Sequence, residues 1–338
     1  MEEVTIVKNQ TSNHLPKSSN PDSILNISTY KFIEIQQENL IELKENIYAK
    51  CEELTLKGTV ILATEGINIF LAGYSKQIKD FFTWFNGIND FFDVQPKESF
   101  SNSIPFRRLI VKIKPEIITM RMPVIRPQEQ RAPAVEPKTL ARWLKQGHDD
   151  NNRPVVMLDT RNEFEVQVGT FNNAINYHIT KFTEFADAIE KNKKDLENKT
   201  VVSFCTGGIR CEKAAIYMQN IGLDNVYQLD GGILKYFEEV GSEHYTGECF
   251  VFDYRTALNP KLEVTGQLQC YGCRAVVTVE DQQSPLYQPP LKCPHCANDR
   301  DKISIAKQTR IQEKIARKMQ AREEYKKQQK SLHSSIAK

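Results

Sequence analysis

The chain has 338 residues, 40% of them hydrophobic, which is long enough for two or three domains with buried cores and excludes a disordered protein. No stretch reaches the eighteen or more apolar residues of a membrane span, and the opening MEEVTIVKNQ has neither the basic start nor the apolar core of a secretory signal, so a cytoplasmic protein with no membrane partner is expected. Formal charge is only +2, yet residues 104–145 and 305–338 each carry ten Lys/Arg against three Asp/Glu; together they hold +14 and leave −12 for the remainder, a segregation that suits a polyanionic partner or two ordinary solvated faces.

In chain order, residues 1–28 are polar and aperiodic and read as a disordered tail. From Tyr30 the pattern becomes regular. YKFIEI predicts a strand, ENLIELKENIYAKCEEL a helix with Leu40, Leu43, Ile47 and Cys51 on one face, and GTVILATEGINIFLAG a hairpin. SKQIKDFFTWF predicts a second helix and RRLIVKIK a closing strand. The order β-α-β-β-α-β fits a ferredoxin-like α+β domain over residues 29–120. Cys51 sits on the apolar face of its helix and reads as a packed small hydrophobe.

Four prolines in MPVIRPQEQRAPAVEP mark a linker over residues 121–135, because neither a helix nor a central strand absorbs them. Over residues 136–245 strands (VVMLDT, TVVSFCT, NVYQLDG) alternate with helices (PKTLARWLKQG, TEFADAIEKNK, EKAAIYMQNIG, GILKYFEEVG). Such alternation predicts a parallel α/β sheet with helices on its faces. Residues 246–300 are loop-rich and bear cysteines, and 301–338 read as a basic helical tail.

The second strand of that sheet ends in SFCTGGIRCEKA. Ligands bind beyond the carboxyl ends of parallel strands, where a loop presents amides at a helix N-terminus, and Cys205 lies at such a junction. Gly207 and Gly208 let the backbone curl so that successive N–H groups point at one sulfur. An amide nest, the positive end of the following helix and Arg210 favour a thiolate, so Cys205 is expected to have a depressed pKa and nucleophilic character. Cys211 reads either as a resolving thiol or as a small residue on the inner helix face.

Cys205-Thr206-Gly207-Gly208-Ile209-Arg210, with LDTRNEFEVQVGTFNNA upstream and YQLDGGILKYF downstream, resembles a rhodanese domain with its six-residue active loop. The resemblance makes Cys205 the reactive or persulfide-carrying thiol. It also places Asp159 and Arg161 in the strand-end motif that ties the loop to the sheet, and has Arg210 close the loop. GTVILATEGINIFLAG, RRLIVKIKPEIITM and GECFVFDYR are further similar to one branch, the bacterial rhodanese-domain tRNA uridine(34) hydroxylases. This implies oxygen-dependent conversion of the wobble uridine to 5-hydroxyuridine, with tRNA (its anticodon loop) as partner and molecular oxygen as co-substrate. No flavin, haem or facial-triad pattern is present in the sequence, so no organic cofactor is recognised, and no protein partner is named.

A tRNA substrate agrees with the charge map. Arg107, Arg108, Lys112, Lys114, Arg121 and Arg126 lie on the closing strand and linker and are candidate RNA-binding residues, with Phe106 or Tyr177 as a stacking platform or as core. Two other readings stand beside this one: a sulfurtransferase passing persulfide sulfur, and a non-catalytic RNA-binding protein on a rhodanese scaffold.

Cys270-Tyr-Gly-Cys273 and Cys293-Pro-His-Cys296 form two knuckles nineteen residues apart. Paired thiols at this spacing predict one zinc, and four thiolates fill the tetrahedron, so the ion is structural and the segment zinc-ribbon-like. His295 is a poorer ligand candidate. In the tail, Ile311, Ile315 and Met319 predict a narrow apolar stripe on the helix.

Overall fold

The structure is a computed structural model that describes residues 23–300 except 271, 290 and 291, together with residues 312, 313, 315–317, 319, 320 and 323, which are helical. The chain opens with β1 (Ile24–Phe32), α1 (Asn39–Glu53), β2 (Lys57–Ala63), β3 (Gly66–Tyr74), α2 (Ser75–Phe85), β4 (Lys97–Ser101) and β5 (Leu109–Ile113). Their sheet runs β4-β1-β3-β2-β5, with β5 parallel to β2 and every other pair antiparallel. The first four strands make the ferredoxin-like arrangement.

Two expectations shift here. β1 starts at Ile24, inside the segment read as tail, and ends at Phe32. ILNIS reads as part of the tail, yet its Leu25/Ile27 and Asn26/Ser28 alternation is the period of a strand with one polar face. The strand that completes the β-α-β-β-α-β unit is the polar KESFS of β4; RRLIVKIK supplies β5, an added strand on the opposite edge.

Alternation splits the sheet into two unlike faces. Leu25, Ile27, Val60, Leu62, Ile67, Ile69, Leu71 and Val111 pack against Leu40, Ile47 and Cys51 of α1 and Ile78, Phe81, Phe82 and Phe85 of α2. The other face presents Asn26, Ser28, Tyr30, Asn68, Lys97, Ser99 and Lys112 and carries no helix of this domain. Cys51 is fully buried and its thiol is pushed up to about 12 by burial, as a packed cysteine should be.

The second unit comprises β6 (Ala134–Val135), α3 (Pro137–Gln146), β7 (Val155–Asp159), α4 (Glu163–Val166), β8 (Gly169–Phe171), α5 (Phe185–Lys191), β9 (Thr200–Phe204), α6 (Ile209–Asn220), β10 (Val226–Leu229) and α7 (Gly232–Glu239). A parallel sheet runs β6-β10-β9-β7. Strand alternation feeds two cores: Met157, Val202 and Phe204 pack with Leu140, Trp143, Ile233 and Tyr236 of α3 and α7, whereas Leu158 and Val201 pack with Phe185, Ile189, Ala214 and Met218 of α5 and α6. The proline-rich stretch is built into this unit, since Met120, Ile125 and Ala132 enter its core and β6 pairs with β10. A two-residue strand between prolines has no sequence period to reveal it.

β11 (Tyr245–Gly247) pairs with β8, β12 (Cys249–Phe250) with β13 (Ala257–Leu258), and β14 (Leu268–Gln269) with β15 (Val276–Val277). In the tail Ile315 is buried and Met319 exposed, while Ile311 lies outside the described residues. No helix among the described residues is long and apolar enough to cross a membrane.

Candidate active site

β9 is buried along its whole length and delivers Cys205 to the carboxyl end of the sheet. The loop then turns through Gly208, whose φ of +99° lies where only glycine is unstrained, and α6 starts at Ile209. Two sets of hydrogen bonds shape the loop. Its carbonyls point away from the sulfur, because Cys205 O and Thr206 O accept the N–H groups of Ile233 (3.0 Å) and Leu234 (3.1 Å) at the start of α7. Its amides point toward the sulfur, and the Gly208 N–H donates to Cys205 Sγ at 3.1 Å.

Gly232 explains the glycine pair of YQLDGG. A Cβ there would fall 2.5 Å from Cys205 O and 2.8 Å from Gly208 N, so only glycine lets α7 approach the loop so closely. Thr206 Oγ1 donates to Phe250 O (3.1 Å), fastening the loop to the segment after the second unit.

Burial alone would push the Cys205 thiol up. The hydrogen bond from the Cys211 thiol, the charge of Arg210 and the amides of Arg210 and Gly208 outweigh it and bring Cys205 down to about 6. Cys211 moves the opposite way, raised by burial and by its anionic neighbour. The site therefore holds a thiolate near a neutral thiol.

Arg210 is buried and donates from Nη2 to Glu165 Oε1 (2.8 Å), with its guanidinium 5.7 Å from the Phe252 ring centroid. Its Nη1 has no partner among the described residues. Asp159 and Arg161 form a fully buried pair through two hydrogen bonds, Nε to Oδ1 at 2.9 Å and Nη2 to Oδ2 at 2.7 Å. Their remaining bonds run to Gly169 O and Thr170 Oγ1. Thr160 adds a further contact, with Oγ1 donating to Phe204 O (2.9 Å) and lying 3.8 Å from Cys211 Sγ. The Arg161 guanidinium lies over the Phe204 ring at 5.7 Å, so the Asp159–Arg161 pair braces the strand end just before the loop.

Cys205 is only 1% exposed, but it is not sealed in hydrocarbon. It lines a cavity of about 490 Å³ between the active loop and the polar face of the first sheet, with Thr206, Gly207, Ile209 and Arg210 on one side and Asn26, Tyr30, Asn68, Lys97, Lys112 and Lys114 on the other. Residues 251–255 close one flank. There Arg255 Nη1 donates to Ser99 Oγ (2.7 Å) and the Tyr254 amide to Pro105 O (3.0 Å).

The first turn of α6 locks the two units around this cavity. Lys213, nearly fully buried, pairs with Glu65 (2.8 Å) and Glu116 (2.6 Å) and donates to Ile118 O (3.0 Å). Glu212 accepts from Tyr30 Oη (3.2 Å), Arg131 Nε (3.3 Å) and Gln228 Nε2 (2.8 Å). Each charged residue of IRCEK therefore has its own partners, and among them the side chains of Tyr30, Glu65 and Glu116 belong to the first domain. Sequence reading missed Glu165, Glu212, Lys213, Tyr30 and Lys97, since charges at the head of a helix look like a solvated face until another domain covers them. Burial lowers the Lys97 ammonium, which lies over the Tyr30 ring at 5.4 Å.

Of the expected RNA-binding groups, Lys112 and Lys114 line the cavity; Arg107 and Arg108 lie in the bend just before β5; Arg121 and Arg126 are exposed and do not line it. Arg126 pairs with Glu129 (2.9 Å), while the other five make no ion pair among the described residues. Phe106 lines the cavity, but Tyr177 packs against the α5–α6 core. Phe252, 54% exposed, adds an aromatic face that the sequence did not single out.

Away from this site, the β14–β15 turn carries Cys270 and Cys273, and Cys293 and Cys296 precede a short helix (Ala297–Arg300). The four sulfurs lie within 4.8 Å of one another, with neighbouring pairs at 3.7, 3.9 and 4.0 Å. Four sulfurs about 2.3 Å from a central zinc would be spaced about 3.8 Å apart, so the donor set fits a tetrahedral ion. His295 turns to Asp281 (2.9 Å) and is not part of the cluster.

A parallel sheet ending in an amide-lined thiol loop, roofed by a ferredoxin-like sheet, defines a rhodanese-like protein with an added acylphosphatase-like domain. Residues 24–117 match the UPF0176 acylphosphatase like domain and residues 137–239 the Rhodanese-like domain. A tRNA uridine(34) hydroxylase of Cupriavidus pinatubonensis is 60% identical over 281 residues, covering 83% of this chain and 99% of that protein. Proteins of the same name from Ralstonia nicotianae (60% over 275 residues; 81% and 97%) and Paraburkholderia xenovorans (58% over 283 residues; 82% and 97%) are similar to it as well. The chain belongs to the tRNA uridine(34) hydroxylase family.

Proposed function

We infer that the family's reaction, hydroxylation of uridine 34 in tRNA, takes place in this chain in the cavity above Cys205, with molecular oxygen as co-substrate and Cys205 as the reactive thiol. The observation that carries this reading is the placement of a lowered-pKa thiol on the floor of a cavity whose roof sets Asn26, Asn68, Lys97, Lys112 and Lys114 among apolar side chains. A uridine splayed out of the anticodon loop is the substrate that fits. Single-stranded loops release bases for insertion, and a flipped base is held by stacking and by contacts to its edges.

In this reading Lys112 and Lys114 meet the backbone phosphates, with Arg107, Arg108, Arg121 and Arg126 extending the track outside. Phe252 or Phe106 offers a face for the ring. Gly208 and Arg210 hold the thiolate, and Glu165 holds Arg210. A zinc on Cys270, Cys273, Cys293 and Cys296 would stabilise the terminal ribbon and leave no open coordination position for chemistry. The setting is cytoplasmic, where tRNA resides and free thiols persist.

Nucleoside mass spectrometry of tRNA from cells with and without the protein tests the reading. Loss of 5-hydroxyuridine and its derivatives on deletion is expected, with recovery from the wild-type chain but not from Cys205→Ser. Unaltered wobble uridines together with rapid turnover of thiosulfate would replace it with sulfur transfer, and recovery by Cys205→Ser would leave a non-catalytic RNA-binding role.

A further inference from the structure

Placing one atom of molecular oxygen on a carbon reduces the other atom to water, which consumes two electrons and two protons that uridine does not provide. The active loop brings together two thiols able to supply the electrons. Gly208 holds both: its N–H donates to Cys205 Sγ (3.1 Å) and its carbonyl accepts the Cys211 N–H (3.0 Å). Cys211 turns inward on the first turn of α6, where Thr160 Oγ1 lies 3.8 Å from its sulfur while bonding the carbonyl of Phe204, the residue before Cys205.

Both side chains are buried, and Gly208 bonds the sulfur of one and the main chain of the other. Cys249, the other thiol nearby, points instead to Phe250 O (3.7 Å). Packing alone asks only for a small side chain at position 211. Two cysteines held on one loop can close a disulfide once the first has been oxidised and its neighbour attacks it.

We propose that Cys205 and Cys211 are the two-electron donor of the reaction, closing a disulfide for each uridine hydroxylated. In balance, C5–H, O₂, the Cys205 thiolate, the Cys211 thiol and one proton from solvent become C5–OH, water and one Cys205–Cys211 disulfide. The O–O, C5–H and Cys211 S–H bonds break; the C5–O, O–H and S–S bonds form. Oxygen is reduced, carbon 5 and the two sulfurs are oxidised, and the thiol hydrogen and the solvent proton balance the water formed. An external thiol then regenerates the pair by exchange. This assignment rests on the functional reading above and adds the source of the electrons.

The test uses the full chain, reduced and then freed of reductant, mixed in air with excess unmodified anticodon stem-loop RNA. At most one 5-hydroxyuridine per chain is expected. Alkylation and peptide mass spectrometry should show Cys205 and Cys211 joined in proportion to product, with the cluster cysteines unchanged. Dithiothreitol should restore repeated turnover. Cys211→Ser should give at least about tenfold less product in the reductant-free reaction, since it lacks the second thiol. The wild-type stoichiometry decides the matter should that variant fail to fold.

Product beyond one per chain without reductant, product with both thiols still open to alkylation, or undiminished product from Cys211→Ser overturns the dithiol assignment and leaves the functional reading intact. Absence of product from the wild-type chain in air with dithiothreitol overturns the functional reading and the dithiol with it.

Discussion

The molecule uses cysteine in two opposite ways, and the contrast lies in what surrounds the sulfur. At the active loop, main-chain amides and Arg210 converge on one thiol that faces a cavity, and this environment brings Cys205 down to about 6. In the terminal ribbon four thiols face one another within 4.8 Å. The first arrangement turns a thiol toward a cavity; the second brings four donors to tetrahedral spacing. Cys51 is a third case, with neither amides nor partners, and burial alone pushes it up to about 12. Neighbours, rather than the side chain itself, separate a reactive thiol from a metal ligand and from a packed one.

The largest effect should come from breaking the closed arrangement. Chelation, or Cys293→Ser, is expected to release one zinc per chain and unfold the ribbon, because structural zinc contributes on the order of 10 kcal/mol to small metal domains. Metal analysis and proteolysis of residues 246–300 would show it. The pH dependence of Cys205 labelling should not move, and a shift there would mean that the two regions are not independent.

Next in size, Cys205→Ser should lower hydroxylation on the order of a thousandfold or more, as loss of an essential nucleophile does. Product yield on an anticodon stem-loop measures this, and near-normal yield would remove the basis for calling the loop open and reactive.

A smaller and more diagnostic effect is the pH profile of that thiol. Iodoacetamide labelling of the native chain should rise through a midpoint near 6 rather than near the ordinary value of 9.0. Arg210→Met should move the midpoint upward by about one unit, since it removes one of several stabilising charges and dipoles. The folded chain holds the thiol below its unfolded value, so the stabilisation it contributes is complete above pH 9 and fades as pH falls through 6.

The smallest effects lie on the roof. Lys112→Ala and Lys114→Ala should each weaken tRNA binding a few-fold and reduce the salt slope by about one for every phosphate no longer neutralised. Binding curves at several salt concentrations would show this, and an unchanged slope would take both lysines off the RNA path.

Reading from the sequence succeeded where chemistry is written in adjacent residues. The thiol loop was legible because cysteine, two glycines and arginine follow one another within six positions, and the cluster was legible because each knuckle is a local turn. Strands and helices with strong apolar periods, such as GINIFLAGY and SKQIKDFFTWF, also declared themselves. Reading failed where meaning depends on a remote partner. ILNIS looked like tail because polar residues alternate with its apolar ones, and that polarity serves a cavity roofed over the second domain. KESFS looked featureless for the same reason, although its Lys97 and Ser99 face the site.

By itself the sequence determined the two sheet-forming units, the reactive loop and the four-thiol cluster, because local backbone geometry and side-chain period suffice to encode them. Only tertiary structure decided that Glu212 and Lys213 clamp the domains together, that Thr160 joins Arg161 at the strand end before the loop, and that Tyr30 and Lys97 belong to the cavity. These interactions join residues up to 182 positions apart. A buried charge is stable only with its partner in place, and that partner is supplied by the fold rather than by the neighbouring letters.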